Sequence, residues 1–104
     1  MANYLLLFHG GSGMAATPEE GQKVMAAWTA WFGQLGDHLV DGGNPITQAK
    51  VIDPSGDVRA PDHQPTGYTI LKADSLDEAV TLSKGCPVLA GGARVTVCET
   101  MAVM

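Results

Sequence analysis

The side chains best suited to chemistry in this chain lie just after short apolar stretches. His9 ends such a stretch and precedes a glycine-rich loop. Because an unperturbed imidazole titrates near neutrality, His9 suits a general acid or base. Asp41 follows Leu39 and Val40, and a carboxylate beside an apolar strand suits a general base. These two residues predict proton transfer with Asp41 as the base and His9 as the proton shuttle.

The residues after Asp41 favour ligand binding. Gly42 and Gly43 have no side chains, so a ligand can approach the backbone closely there. Pro45 restricts Asn44 to extended conformations, which fixes the direction of an amide that suits a substrate carbonyl. We expect this pocket between the sheet and a helix or at the seam between two copies. Its predicted lining comprises His9 and Asp41 as catalytic residues and Gly43, Asn44, Tyr68 and Glu99 as ligand-binding residues.

Each candidate also has a purely structural interpretation. Asp41 and Asn44 are residue types that bond the exposed amides of a glycine turn. A histidine at a strand end often bonds backbone or water. Glu99 has cations available across neighbouring strands in Arg94 and Lys72. Asp62 and His63 are adjacent in a polar loop and are expected to be solvated.

The composition excludes several classes of protein. The 104 residues suit one domain, spanning 1–104, and the apolar fraction of 45% is that of a globular chain. Lysine and arginine total 6 against 11 acidic residues, without a basic cluster, so no nucleic-acid partner is expected. The first apolar run, Tyr4 to Phe8, is too short for a signal-peptide core or a membrane span. We therefore expect a cytoplasmic protein without a membrane partner.

No cofactor or metal is expected from the sequence. Cys86 and Cys98 are too few for a disulfide scaffold, so we expect reduced thiols. The three histidines are isolated and the cysteines have no nearby ligand partners, so metal-ligand spacing is absent. The loop His9-Gly-Gly-Ser-Gly lacks the lysine of a phosphate-binding loop and the spacing of a dinucleotide-binding loop.

Two helix starts are strongly marked. Thr17 is followed by Pro18 and by Glu20 three residues later, and Ser75 is followed by Glu78 at the same spacing. Apolar periodicity and turn residues place the remaining elements. The predicted elements are a strand at Asn3–His9, a helix from Thr17 to Gly36, strands at Leu39–Asp41 and Ile46–Ile52, a turn at Asp53–Gly56, a strand at Thr66–Ala73, a helix from Ser75 to about Lys84 with Leu76, Ala79, Val80 and Leu82 inward, a helical turn at Pro87–Ala90, and a strand at Ala93–Met101.

If Ile46–Ile52 is counted as a hairpin extension of the strand at Leu39–Asp41, this order is βαββαβ. It predicts an α+β protein of ferredoxin-like arrangement with an antiparallel sheet and both helices on one face. The first strand, however, is apolar on both sides. Tyr4, Leu6 and Phe8 share one side, while Leu5 and Leu7 share the other. An apolar sheet face without helices needs a partner, and a second copy of the chain is the simplest one. We therefore expect a homodimer through the sheet face.

Motifs along nearly the whole chain resemble the YCII-related family in its DGPF-type branch. They are LLLF, W-x-x-W-F-x-x-L-G-D-x-L-V-D-G-G-N-P, G-Y-x-I-x-x-A-D-S-L-D-E-A-V-x-L-x-K-G-C-P and G-x-x-V-x-V-x-E. The resemblance implies a dimeric α+β barrel, in which two ferredoxin-like subunits pack sheet to sheet. Some members of the family carry a histidine on the first helix that pairs with an aspartate. That position falls at Ala26 or Ala27 here, and Arg59–His63 stands where the DGPF motif is expected.

Two functions remain open at this point. The first is an enzyme that transfers a proton on a small organic acid or lactone. The second is a non-catalytic dimer that binds a ligand or takes part in regulation. Catalysis requires at least two of the candidate polar side chains to converge in one cavity, whereas binding requires only a pocket.

Overall fold

The computed structural model describes residues 1–11 and 17–103 and shows a small α+β protein. Its described part contains one four-stranded antiparallel sheet, a separate two-stranded hairpin and two α-helices. The strands are β1 (Ala2–His9), β2 (Leu39–Asp41), β3 (Val51–Ile52), β4 (Val58–Arg59), β5 (Pro65–Ala73) and β6 (Arg94–Glu99), and the helices are α1 (Pro18–Leu35) and α2 (Leu76–Ser83).

The main sheet has the strand order β2-β5-β1-β6, so the first apolar strand lies in the interior of the sheet. Leu6 lies opposite Thr69 of β5 on one side and Val97 of β6 on the other. The strands β3 and β4 pair only with each other, and the Gly56 amide closes their turn by donating to the Asp53 carbonyl at 2.8 Å. The hairpin therefore stands apart from the main sheet.

Both helices begin where the sequence marks them. The Thr17 hydroxyl accepts from the Glu20 amide at 3.1 Å, and the Ser75 hydroxyl accepts from the Glu78 amide at 3.1 Å. These bonds satisfy amides that have no partner within a helix. At the other end of α1, Gly36 has a φ of 53° and stops the helix, as predicted.

The core lies between the helices and one face of the sheet. Tyr4, Leu6 and Phe8 point toward the helices and are buried there with Trp31 and Leu35 of α1. The buried residues recur at every second position in β1 and four positions apart in α1. These are the spacings expected of one face of a strand and one face of a helix. The helices therefore cover only one face of the sheet.

The opposite face of the main sheet, called here the open face, carries no described helix. The central part of the open face consists of Leu5, Leu7, Tyr68, Ile70 and Cys98, which the register places side by side. All five are partly exposed, in contrast to the buried residues between them. This alternation explains why the first strand is apolar on both sides.

Two predicted details of the fold are wrong. The strand predicted at Ile46–Ile52 forms only over Val51–Ile52. The Ile46 amide donates to the Thr66 carbonyl, but β5 begins at Pro65 and has no further backbone to pair with residues 47–50. The sequence predicts that Leu76 and Val80 face inward from α2, but they are 44% and 37% exposed. Val80 lines a groove beside the edge strand β6, where the sheet no longer covers the helix.

Candidate functional site

His9 ends β1 on the open face. The regular pairing of β1 with β6 places His9 directly opposite Arg94, whereas its pairing with β5 is irregular at this point. The imidazole Nδ1 is buried and has no hydrogen-bond partner among the described residues. The contacts therefore do not support the interpretation of His9 as a strand-end histidine bonded to backbone.

Asp41 serves as a turn cap. One carboxylate oxygen, Oδ1, accepts from the Gly43 amide at 2.8 Å, a local bond that aspartate commonly makes in turns. Gly43 has a φ of 77°, and a Cβ there would collide with the Tyr68 carbonyl, while a Cβ on Gly42 would lie 3.1 Å from the Phe32 ring. The absence of side chains at Gly42 and Gly43 thus leaves room for the Phe32 ring and for the backbone of Tyr68.

Asn44 and Tyr68 are brought together by this turn. The Asn44 amide donates to the Tyr68 hydroxyl at 3.5 Å, which is a long and weak bond. Tyr68 lies opposite Leu7 on the open face, one diagonal step from His9. The phenol accepts in this bond, so its own proton is available for a ligand.

His9 and Asp41 lie on the same face but not close together. Asp41 is opposite Ile70, and Ile70 is opposite Leu5, so two strand spacings and four residues along β1 separate Asp41 from His9. These steps place the two Cα atoms roughly 16 Å apart. Direct proton transfer between them within one subunit requires a group that bridges this gap.

Glu99 lies on the helix-covered face at the other end of the sheet. Its Oε1 accepts from the Tyr4 hydroxyl at 2.8 Å, beside a cleft of about 640 Å³ that the two chain ends and Asp74 line. Burial, the bond to Glu99 and the nearby carboxylates raise the pKa of the Tyr4 phenol. Glu99 is therefore separated from the other candidate residues, and the predicted lining does not converge in one cavity.

Arg94 is the residue that sequence analysis missed as a member of the site. The sequence suggests Arg94 only as a cross-strand partner of Glu99, but the register places Arg94 on the open face and Glu99 on the other. Arg94 is exposed and makes no ion pair with any residue in 1–11 or 17–103. The proximity of Arg94 to His9 follows from the strand register, which the sequence alone does not give.

Cys86 is buried and Cys98 is partly exposed, and the structure joins neither to another cysteine. Burial raises the pKa of the Cys86 thiol to about 11, so this residue is an inert core thiol at neutral pH. Within the described part of the chain, no three His, Cys, Asp or Glu side chains cluster as metal ligands. The described helices include none with the length and apolar character needed to cross a membrane.

No protein-family model matches this chain. No curated protein matches it either.

Proposed function

We propose that the protein is a cytoplasmic homodimer that pairs through the open face and binds a small organic acid at one end of that face. The single observation that carries the proposal is the open face itself. It combines an apolar centre at Leu5, Leu7 and Ile70 with polar side chains at the end where His9 and Tyr68 lie. An apolar centre with a polar rim is the usual anatomy of an interface. The free cysteines agree with a reducing compartment.

The dimensions of the subunit support pairing with a second copy of the chain. The Cα radius of gyration is 15.0 Å, compared with about 13 Å for a compact domain of this length. The accessible surface is 7190 Å², whereas a compact monomer of this mass exposes about 5,500 Å². The excess is larger than the roughly 800 Å² that each partner buries in a standard interface. A second copy on the open face would cover part of this excess surface.

The fold supports the same assembly. The strand order β2-β5-β1-β6, with helices on one face, agrees with a ferredoxin-like subunit. Two such subunits packed sheet to sheet form the dimeric α+β barrel that the resemblance to the YCII-related family implies. We include membership of that family in the proposal on the strength of its motifs.

Binding is favoured over catalysis by the positions of the candidate base and shuttle. The Asp41 carboxylate caps the turn at Gly43 and lies far along the sheet from His9. A base already committed to a structural bond and distant from its shuttle is poorly placed for proton transfer. Tyr68 and Asn44, in contrast, present hydroxyl and amide groups next to the His9 end, which suit an oxygen-rich ligand.

The test places a charge at the centre of the proposed interface. Leu7→Lys should convert the dimer to a monomer, because a buried unpaired lysine is strongly unfavourable at an apolar interface. Ile52→Lys is the matched control, because Ile52 is 72% exposed on the hairpin. Sedimentation velocity should show a monomer for Leu7→Lys and a dimer for Ile52→Lys. Dimers in both variants would refute pairing through the open face.

A further inference from the structure

We propose that Arg94 and His9 form a binding site for an oxyanion, which is the carboxylate of a small organic acid or a phosphate group. This inference deepens the proposed function, on which it rests for the position of the ligand, by naming the charged group that is recognised. It assigns to Arg94 the role of anion anchor, and to His9 that of a second hydrogen-bonding group.

The sheet register brings the two side chains together. His9 is directly opposite Arg94 in the antiparallel pair of β1 and β6, and both extend from the open face. Directly opposite residues in such a pair have Cβ atoms about 5 Å apart. A single ligand group between these side chains can therefore contact both.

Both side chains have unused hydrogen-bonding capacity. The guanidinium of Arg94 forms no ion pair with a described residue, although five N–H donors in a planar fork suit two-point contact with an oxyanion. The His9 Nδ1 is buried without a described partner. Buried polar atoms normally have a partner, so the hydrogen bonding of His9, a partly exposed residue, is incomplete in the single subunit.

Arg94 is unusual in this chain because positive charges are few and the other arginine is paired. Acidic residues outnumber Lys and Arg by 11 to 6, and Arg59, in contrast to Arg94, is held by Asp53 at 3.1 Å. Glu99, the carboxylate on the same strand as Arg94, lies on the other face of the sheet. Arg94 is thus a cation without a described counter-ion, next to a histidine, in a chain that carries few positive charges.

The test is a titration followed by amide NMR at pH 7, with sodium lactate and sodium phosphate as probes and sodium chloride at equal ionic strength as the reference. In the wild type, either oxyanion should shift the His9 and Arg94 signals to saturation, while chloride should not. Arg94→Gln should weaken the binding by about tenfold or more, since a hydrogen bond to a charged group is lost. Arg59→Gln, which removes an arginine already paired elsewhere, should bind as the wild type does.

The comparison of lactate with phosphate distinguishes a carboxylate ligand from a phosphate ligand. Equal binding by Arg94→Gln and Arg59→Gln would overturn the proposal, and so would equal shifts with chloride. The oligomeric state of the wild type separates this inference from the proposed dimer. Saturable binding by a wild type that proves monomeric would support the oxyanion site and refute only the dimer.

Discussion

At the scale of single residues, the glycine pair after Asp41 was predicted to let a ligand approach the backbone. In the structure, these glycines instead let other parts of the protein pack closely. The space above Gly43 is filled by the Tyr68 carbonyl, and the space above Gly42 by the Phe32 ring. The sequence indicates that side chains are excluded at this turn. It does not indicate which group excludes them, because the neighbours come from β5 and α1, distant in the chain.

Gly43→Ala should destabilise the protein by about 1–3 kcal/mol, because the new Cβ meets backbone and the residue must keep a positive φ. Gly33→Ala is the matched control. Gly33 lies in α1, has no positive φ, and an added Cβ would meet open space there. That substitution should stabilise the protein by about 0.5–1 kcal/mol through helix propensity. Urea denaturation of both variants measures the two effects, and a loss of equal size would contradict the role of packing at Gly43.

At the scale of elements, the helix boundaries were predictable and the partners of the strands were not. Capping at Thr17 and Ser75 depends on residues three positions away, so local sequence contains the whole signal. Residues 46–50 belong to a predicted strand, but they form no strand because β5 starts only at Pro65. Strand formation depends on a partner whose end the local pattern does not reveal.

The same limit applies to the candidate site. His9, Asp41 and Tyr68 were correctly expected on strands, because His9 and Asp41 end apolar runs and Tyr68 lies within the predicted strand Thr66–Ala73. Their separation, and the position of Arg94 beside His9, follow from the pairing of β1 with β5 and β6. The sequence shows which residue types are present, but whether their side chains come together depends on the strand register.

The aromatic anchor of α1 provides the element-scale prediction. Trp31 is 2% exposed and its Nε1 donates to the Leu82 carbonyl at 3.1 Å, so it joins α1 to α2. Trp31→Ala should cost about 3–5 kcal/mol of the free energy of unfolding. Val24→Ala on the same helix, at a side chain 48% exposed, should change stability by less than about 0.5 kcal/mol. Thermal and urea denaturation can compare them, and a Trp31→Ala variant as stable as Val24→Ala would show that this ring does not anchor the helix.

At the scale of the whole molecule, the proposed assembly depends on one uncovered surface. A single layer of helices covers a single sheet, and the shortest dimension across the Cα atoms is only 19 Å. The proposed dimer buries the apolar centre of the open face and leaves the end with His9 and Arg94 near its rim. Ligand binding and subunit pairing then share one face of the protein, with Leu5, Leu7 and Ile70 assigned to pairing and His9 and Arg94 to the ligand.

The most direct test of the proposed dimer is the molar mass of the unmodified protein, measured by light scattering after size exclusion at micromolar concentration. The subunit mass is 10.8 kDa, and pairing through the open face predicts a particle of twice that mass. The value should hold as the sample is diluted through the micromolar range, as expected of an apolar interface of standard size. A stable particle of 10.8 kDa at these concentrations would contradict the proposed pairing of open faces.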